Sequence, residues 1–296
     1  MKHITNEEIE KVLNYERAVQ WVRESFSLKK QSKLPHKISI PFETQNFMNT
    51  MPCMIPKLNV FGAKIVTRYS NRVPSVDGEL LLYRYSDGKL LSLMDAYHIT
   101  TYRTGAVAAL AVETFARTDF ESVGFMGLGS TGLATIKCLA VIYGNKPLII
   151  NLLQYKDHIQ RIENWLREHT QWKVNAIQGT ENLIRQSDVV VSCITYAGQD
   201  LAPIDAYREG CLVVPVHTRG FQNCDLVFEK VYADDTAHVE GFKYFSQYKS
   251  FGELPDVLDG SCPGRSNNKE RILSYNIGLA LHDIVYAHHL YELLSC

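Results

Sequence analysis

The chain has 296 residues, of which 46% are apolar and 21% charged, and 31 Lys and Arg against 32 Asp and Glu leave a formal net charge of -1. This length allows two domains with well-buried cores, and the composition excludes disordered, collagen-like and coiled-coil proteins. The even charge balance predicts no nucleic-acid partner and no polybasic contact with a membrane.

The start of the chain and its cysteines predict the cellular compartment of the protein. The segment MKHITNEEIE contains no apolar signal core, and no run of about 18 apolar residues occurs, so we expect a cytoplasmic protein without a membrane span. The seven cysteines are scattered and never spaced as C-x-x-C, which predicts reduced thiols and no metal site.

The first part of the chain predicts a helix, a set of strands and a second helix. Thr5 and Glu8 form a capping box, and apolar residues at helical spacing continue the predicted helix to Leu28. Short β-prone runs over residues 37–84, separated by Pro and Gly signals, indicate an antiparallel unit. The Ala-rich stretch 93–116 predicts a long helix.

From Asp119 onward, short apolar strands alternate with helices or loops. The predicted strands cover 123–126, 147–153, 187–194, 210–216 and 226–232, and the predicted helices cover 133–143 and 157–168. Strands that are apolar on both faces indicate a parallel sheet covered on both sides, as in doubly wound α/β folds. The last segment, 271–294, predicts one helix with Ile277, Leu281, Ile284 and His288 on one face.

A glycine-rich turn follows the first of these strands. Gly127, Gly129 and Gly132 form G-x-G-x-x-G, with Ser130 and Thr131 between the last two. Between a strand and a helix, the three glycines allow a tight turn, close approach of a pyrophosphate and tight helix packing. This context predicts dinucleotide binding, whereas the alternative is a plain glycine turn.

The end of the second predicted strand lacks a residue that usually accompanies this turn. An acid about 20 residues on normally accepts the ribose 2′-hydroxyl of NAD, whereas this chain has no acid between Asn151 and Asp157. Gln154 and Lys156 lie there instead, either solvated or facing a 2′-phosphate. Because a nearby cation suits that phosphate, the sequence favours NADP over NAD.

Two stretches, Gly62-Ala63-Lys64-Ile65-Val66 and 95–109 (DAYHITTYRTGAVAA), precede the glycine turn. With Gly264-Arg265-Ser266 and 278–283 (GLALHD), they resemble the ornithine cyclodeaminase and μ-crystallin family over nearly the whole chain. The resemblance implies a Rossmann-type doubly wound domain, 119–261, and a discontinuous α+β domain for substrate binding and dimerisation, 1–118 plus 262–296. A homodimer is the family expectation and the commonest symmetry.

The resemblance also implies site residues. Lys64 and Arg103 face a substrate carboxylate, and Thr104 lies near the cofactor phosphates. From their positions after later strands of the Rossmann domain, Thr195 and His217 are further candidates for cofactor binding. From the residues alone, Lys64 would be a solvated strand end and Arg103 a surface ion-pair partner, because most charged side chains are exposed.

Two positions depart from the family pattern. Lys37 stands where the family often has an Arg, so it binds a carboxylate through a single ammonium. Arg219 stands where cyclodeaminases carry an Asp that assists attack on an imino intermediate, and an Arg accepts no proton at neutral pH. Arg219 is instead a candidate contact for a second acidic group of the substrate, and His217 a candidate proton donor or a structural histidine.

These observations predict an NAD(P)H-dependent oxidoreductase, an imine reductase or amino-acid dehydrogenase, that acts on the C=N or C–N bond of a small α-imino or α-amino acid. Two alternatives remain open. An ornithine cyclodeaminase would release ammonia with no net change in the nicotinamide. A μ-crystallin-type protein would bind the nucleotide without catalysis, since fold does not imply function.

Overall fold

A computed structural model describes residues 1–43, 46–155, 158–195, 197–216 and 221–295 of the chain. The chain divides into two units, of which unit 1 is Met1–Arg103 with Leu279–Cys296 and unit 2 is Thr104–Gly278. Each unit is built around its own sheet. Within the described residues, no helix has the length and apolar character needed to cross a membrane.

The elements are numbered in chain order. The strands are β1 (Lys2–Ile4), β2 (Ile38–Pro41), β3 (Phe47–Ile55), β4 (Val60–Arg68), β5 (Val76–Arg84), β6 (Leu90–Asp95), β7 (Ser122–Met126), β8 (Ile149–Leu153), β9 (Lys173–Ile177), β10 (Val189–Ser192), β11 (Leu212–Pro215), β12 (Lys230–Ala233), β13 (Phe251–Glu253) and β14 (Ile272–Tyr275). The helices are α1 (Asn6–Val12), α2 (Tyr15–Leu28), α3 (Tyr97–Phe115), α4 (Ser130–Tyr143), α5 (His158–His169), α6 (Thr180–Arg185), α7 (Leu254–Leu258) and α8 (Ala280–Leu294).

Unit 1 contains a six-stranded sheet in the order β1-β6-β5-β4-β3-β2. The strands from β2 to β6 pair antiparallel, which confirms the antiparallel unit predicted over 37–84, and β1 pairs parallel with β6. Burial alternates along β4 and β5, so one face of the sheet is buried and carries α8. Gly62 allows the close contact, since a Cβ there would lie 2.7 Å from Ile284 Cδ1.

The prediction of one helix from Thr5 to Leu28 is wrong at its middle. Thr5 and Glu8 form the predicted capping box, but the helix stops at Val12 and Leu13 is extended. Asn14 then caps α2, with its side chain accepting a hydrogen bond from the Arg17 backbone N–H. Asn favours this non-helical cap position. The apolar periodicity continues across the break and therefore does not reveal it.

Unit 2 contains an eight-stranded parallel sheet in the order β13-β12-β14-β11-β10-β7-β8-β9. The six strands β9-β8-β7-β10-β11-β14 follow the doubly wound order 3-2-1-4-5-6 of Rossmann folds. Strands β7, β10, β11 and β14 are buried along their whole length. This confirms the α/β class and the parallel sheet that the apolar strands predicted.

The prediction of one helix over 271–294 is also wrong in its first part. Residues Ile272–Tyr275 form β14, which pairs between β11 and β12, and α8 begins only at Ala280. The reason is tertiary, because a short apolar run has no strand or helix preference until neighbouring strands supply its hydrogen bonds. Since β14 lies inside the unit 2 sheet, unit 2 ends at Gly278, beyond the predicted boundary at 261.

Candidate active site

Lys64 is buried in unit 1, although lysines ordinarily lie at protein surfaces. It lies on β4 between the buried residues Gly62 and Val66, and it is 0% exposed. Because alternate residues of a strand face the same side, the pattern that buries the apolar side chains of β4 buries Lys64 as well. The interpretation of Lys64 as a solvated strand end is therefore wrong.

Arg103, on α3, is likewise buried and meets Lys64 at one carboxylate. Arg103 is 4% exposed and Asp283, in the first turn of α8, is 0% exposed. Asp283 Oδ1 accepts hydrogen bonds from Lys64 Nζ at 2.7 Å and from Arg103 Nε at 3.1 Å. Lys64 Nζ also donates to Thr100 Oγ1 at 3.2 Å. Two cations that the sequence predicted as a pair thus share a single buried anion.

The cluster of Lys64, Arg103 and Asp283 has unused hydrogen-bonding capacity. Among the described residues, Arg103 Nη1 and Asp283 Oδ2 are buried and have no hydrogen-bond partner. Leaving a buried charged donor unpaired costs on the order of 1 to 3 kcal/mol or more. A guanidinium matches the geometry of a carboxylate, so the chemistry of this cluster suits a small carboxylic acid.

Burial lowers the pKa of Lys64 to about 7, and the positive charge of Arg103 adds to this effect. The carboxylate of Asp283 opposes the shift, and the positive charge of Lys37 adds a smaller lowering. Near neutral pH, Lys64 is therefore close to its titration midpoint. A group with this property gains or loses a proton easily under working conditions.

One further cation acts on Lys64, and a thiol lies on the neighbouring strand β3. Lys37, just before β2, is half-buried, and its positive charge lowers the pKa of Lys64. Cys53, on β3, is buried, and burial raises the pKa of its thiol to about 12. The thiol is therefore neutral at physiological pH and adds no charge to the cluster.

The glycine-rich turn lies between β7 and α4 in unit 2. Gly127 has φ +83°, in the region that favours glycine, and a Cβ on Gly132 would lie 2.3 Å from Gly127 O. Gly129 is the N-cap residue of α4 and has φ -77°, so its backbone conformation does not itself require glycine. A Cβ on Gly129 would meet nothing within 4 Å. The missing side chain at Gly129 therefore leaves open space beside the start of the helix.

This open space fits a pyrophosphate group. A helix N-terminus attracts anions, and the space beside Gly129 lets a phosphate approach the backbone N–H groups. Ser130 is exposed and Thr131 half-buried in the first turn of α4, which begins three residues before the predicted helix. Thr104 is half-buried and precedes Gly105, whose Cβ would lie 2.7 Å from the Ala134 backbone of α4.

A polar residue that the sequence analysis missed lies at the carboxyl edge of the same sheet. Asn276 follows β14, is 1% exposed, and its backbone N–H donates to Pro215 O at 2.9 Å. Its Nδ2 donates to Ser274 O, whereas its Oδ1 has no partner among the described residues. Ligands of open α/β sheets bind at this edge, so the orphaned oxygen also fits a polar ligand there.

Other predicted cofactor residues are only partly described. Gln154 is exposed after β8 and its Oε1 accepts a hydrogen bond from Gln178 Nε2, and Thr195 is exposed after β10. Lys156, His217 and Arg219 lie outside the described residues.

Two histidines of α8 contact neighbouring side chains of unit 1. His282 Nδ1 lies 2.5 Å from Ser25 Oγ, and its ring meets Phe26 edge-on. His289 Nε2 lies 2.7 Å from a Glu24 carboxylate oxygen. Across the part of the chain that the structure describes, no group of three or more His, Cys, Asp or Glu could hold a metal ion.

Asp283 is the member of the cluster that the sequence analysis did not assign to the site. It was noted only as part of the 278–283 stretch that carries the family resemblance. Two buried cations require a buried counter-charge, and this requirement could have identified the residue. Asp283 is the acid at the start of the apolar last helix.

The chain is similar to known proteins over most of its length. Nodulation efficiency protein NfeD of Rhizobium meliloti is 26% identical over 88% of this chain and 83% of its own length. Delta(1)-pyrroline-2-carboxylate reductase of Bacillus cereus is 24% identical over 87% of this chain and 85% of its own length. The structure of Thermococcus litoralis Delta(1)-pyrroline-2-carboxylate reductase in complex with NADH and L-proline superposes with a TM-score of 0.87, at 20% identity over 99% of this chain and 97% of that one.

The similarity to the solved structure shows that the two chains share a fold. A family model matches residues 2–295, which is nearly the whole chain. The chain therefore belongs to the ornithine cyclodeaminase/mu-crystallin family.

Proposed function

We propose that this protein is an NAD(P)H-dependent oxidoreductase that acts on the C=N or C–N bond of a small α-imino or α-amino acid. The observation that carries the proposal is the buried cluster of Lys64, Arg103 and Asp283, in which one guanidinium nitrogen has no partner among the described residues. The same chain contains a glycine turn that fits a dinucleotide. The names of the two reductase relatives agree with this reaction type.

The residues of unit 1 bind and orient the substrate in this proposal. Arg103 Nη1 binds the substrate carboxylate, and the ammonium groups of Lys64 and Lys37 add positive charge. When bound, the nicotinamide cofactor supplies a hydride to the imine carbon, and a proton added to the nitrogen completes the amine. Because Lys64 binds the anion only as an ammonium, substrate binding weakens as the pH rises through its pKa.

The roles proposed for His217 and Arg219 rest on the sequence. His217 supplies the proton to the imine nitrogen, since imidazole titrates near pH 6.5. Arg219 contacts a second acidic group of a dicarboxylic or conjugated substrate. We expect Arg219→Ala to weaken turnover of substrates with a second carboxylate and to spare monocarboxylates. If Arg219→Ala had unchanged kinetics on the substrate that the wild type prefers, the result would contradict this role of Arg219.

The choice of nucleotide rests on the strand end after β8. This position offers Gln154 and, outside the described residues, Lys156, with no acid before Asp157 to accept a ribose 2′-hydroxyl. We propose that NADPH binds more tightly than NADH. Fluorescence titration of the purified protein with each nucleotide tests this preference, and tighter binding of NADH would overturn it.

The function is tested by following NADH and NADPH absorbance with Δ1-pyrroline-2-carboxylate and a panel of α-imino acids. Oxidation of the nucleotide with formation of the amino acid supports the proposal. Ammonia release from ornithine without net nucleotide change would identify a cyclodeaminase, and nucleotide binding without turnover would identify a binding protein. Lys64→Met should abolish turnover, and the exposed Lys57→Met is the matched control.

We also propose that unit 1 carries the contacts of a homodimer. The face of its sheet opposite Lys64 carries three exposed isoleucines, with Ile38 61%, Ile40 44% and Ile65 36% exposed. Ile38 and Ile65 lie in register across β3, since both pair with Thr50. Exposed apolar side chains grouped on a sheet are typical of a protein interface, and a symmetric dimer covers them on both subunits.

The dimer is tested by light scattering after size-exclusion chromatography. We expect twice the monomer mass for the wild type and the monomer mass for the Ile38→Glu/Ile65→Glu variant, because two buried charges per subunit oppose association. Val141→Glu, at an exposed apolar position on α4, is the control and should keep the dimer mass. A monomeric wild type would contradict the proposal.

A further inference from the structure

Asp283 lies at a helix start and beside two cations. It lies in the first turn of α8, where the positive end of the helix dipole favours a carboxylate. It is 0% exposed, and α8 packs against β3, β4 and β5. Its Oδ1 accepts from both Lys64 Nζ and Arg103 Nε, so one oxygen fixes the positions of two cations from two other elements.

The charges of the groups around Lys64 determine how Asp283 affects the protonation of the amine. Arg103 from α3 and Lys37 from the segment before β2 are positive, and Cys53 from β3 is neutral because its thiol pKa is raised to about 12. Asp283 from α8 is the negative group that acts on Lys64 among the described residues. Without its charge, burial and two like charges would all disfavour the ammonium form of Lys64.

The contact with Arg103 has a separate consequence. Asp283 binds the guanidinium through Nε, whereas Nη1 has no partner among the described residues. The five N–H donors of a guanidinium form a rigid planar fork, so a hydrogen bond at Nε restricts where the other nitrogens lie. Asp283 therefore helps to orient the nitrogen that is offered to a carboxylate.

We propose that Asp283 is a positioning residue, which favours the ammonium form of Lys64 and orients the guanidinium of Arg103 for the substrate carboxylate. This inference rests on the proposed function, in which both cations bind that carboxylate. Asp283 acts through Lys64 and Arg103 and not on the reacting atoms.

The first test is the pH dependence of kcat/KM for the variant Asp283→Asn. The wild-type value should fall as the pH rises through the pKa of Lys64, because the neutral amine no longer binds the anion. Removing the carboxylate lowers that pKa further, so this limb should move to lower pH by at least about one unit. In Lys64→Arg the limb should disappear, because a guanidinium does not deprotonate in this range.

Two further variants separate positioning from a purely structural role. Asp283→Glu keeps the charge but displaces it by one methylene, so the pH limb should stay near the wild-type position while kcat/KM falls about tenfold. Asp188→Asn, at a partly buried acid of unit 2 that pairs with Arg117, should leave the limb unchanged. A uniform loss in Asp283→Asn with an unmoved limb, or wild-type kcat/KM in Asp283→Glu, would overturn the proposal.

A second measurement does not depend on turnover. The difference in unfolding free energy between wild type and Lys64→Met, followed across pH, reports the pKa of Lys64 in the folded protein. The same difference between Asp283→Asn and Lys64→Met/Asp283→Asn should change at lower pH. An unchanged midpoint contradicts the proposal even in a protein without activity. Absence of turnover in the wild type contradicts the proposed function alone.

Discussion

Replacing Arg103 by lysine is expected to lower kcat/KM for the α-imino acid by about 100-fold, which corresponds to about 2.7 kcal/mol of lost transition-state stabilisation. Lysine keeps the positive charge but lacks the planar fork, so it cannot bind Asp283 and a carboxylate together with fixed geometry. The loss should be larger in KM than in kcat, because the interaction with the carboxylate is present in the bound ground state as well. Steady-state kinetics with the substrate found in the imino-acid panel measure this effect.

The matched control is Arg84→Lys, at a half-exposed arginine on β5 that pairs with Asp87 near the surface. Surface pairs of this kind contribute about 0 to 1 kcal/mol, so kcat/KM should stay within about twofold of the wild type. Nucleotide affinity should be the same in both variants, which shows that unit 2 is intact. Wild-type kcat/KM in Arg103→Lys would show that the substrate carboxylate binds elsewhere.

The variant Gly129→Val is expected to raise the Kd of NAD(P)H by about 100-fold with little change in folding stability. Gly129 has a backbone conformation that other residues adopt, and a Cβ there meets nothing within 4 Å in the protein. The added side chain instead fills the space that a pyrophosphate needs beside the start of α4. A valine at an N-cap position costs about 1 kcal/mol or less relative to glycine. Nucleotide titration and thermal unfolding of the same sample measure both quantities.

Substitutions at two other glycines serve as controls for Gly129→Val. Gly241→Val, on an exposed turn with nothing near its Cβ position, should leave the Kd unchanged. Gly132→Ala should lower stability strongly, because its Cβ would lie 2.3 Å from the Gly127 carbonyl oxygen. If Gly129→Val bound NAD(P)H like the wild type, the dinucleotide would not lie over this turn.

The local elements show which parts of the fold were predictable. The capping box at Thr5, the apolar strand before Gly127 and the helix after Gly129 all follow from patterns within a few residues. The break at Asn14 and the strand β14 do not, because a single cap residue and sheet pairing decide them. Periodicity records which faces are apolar but not which neighbour satisfies the backbone.

The candidate site was likewise only partly predictable. The α/β class and the glycine turn follow from patterns in the sequence, and the family resemblance implies that Lys64 and Arg103 act together. Their burial and their shared contact with Asp283, which is 219 residues from Lys64 along the chain, are features of the tertiary structure. A buried charge requires a counter-charge that is close in space. Residue spacing describes neighbours along one element, whereas this counter-charge comes from a helix at the other end of the chain.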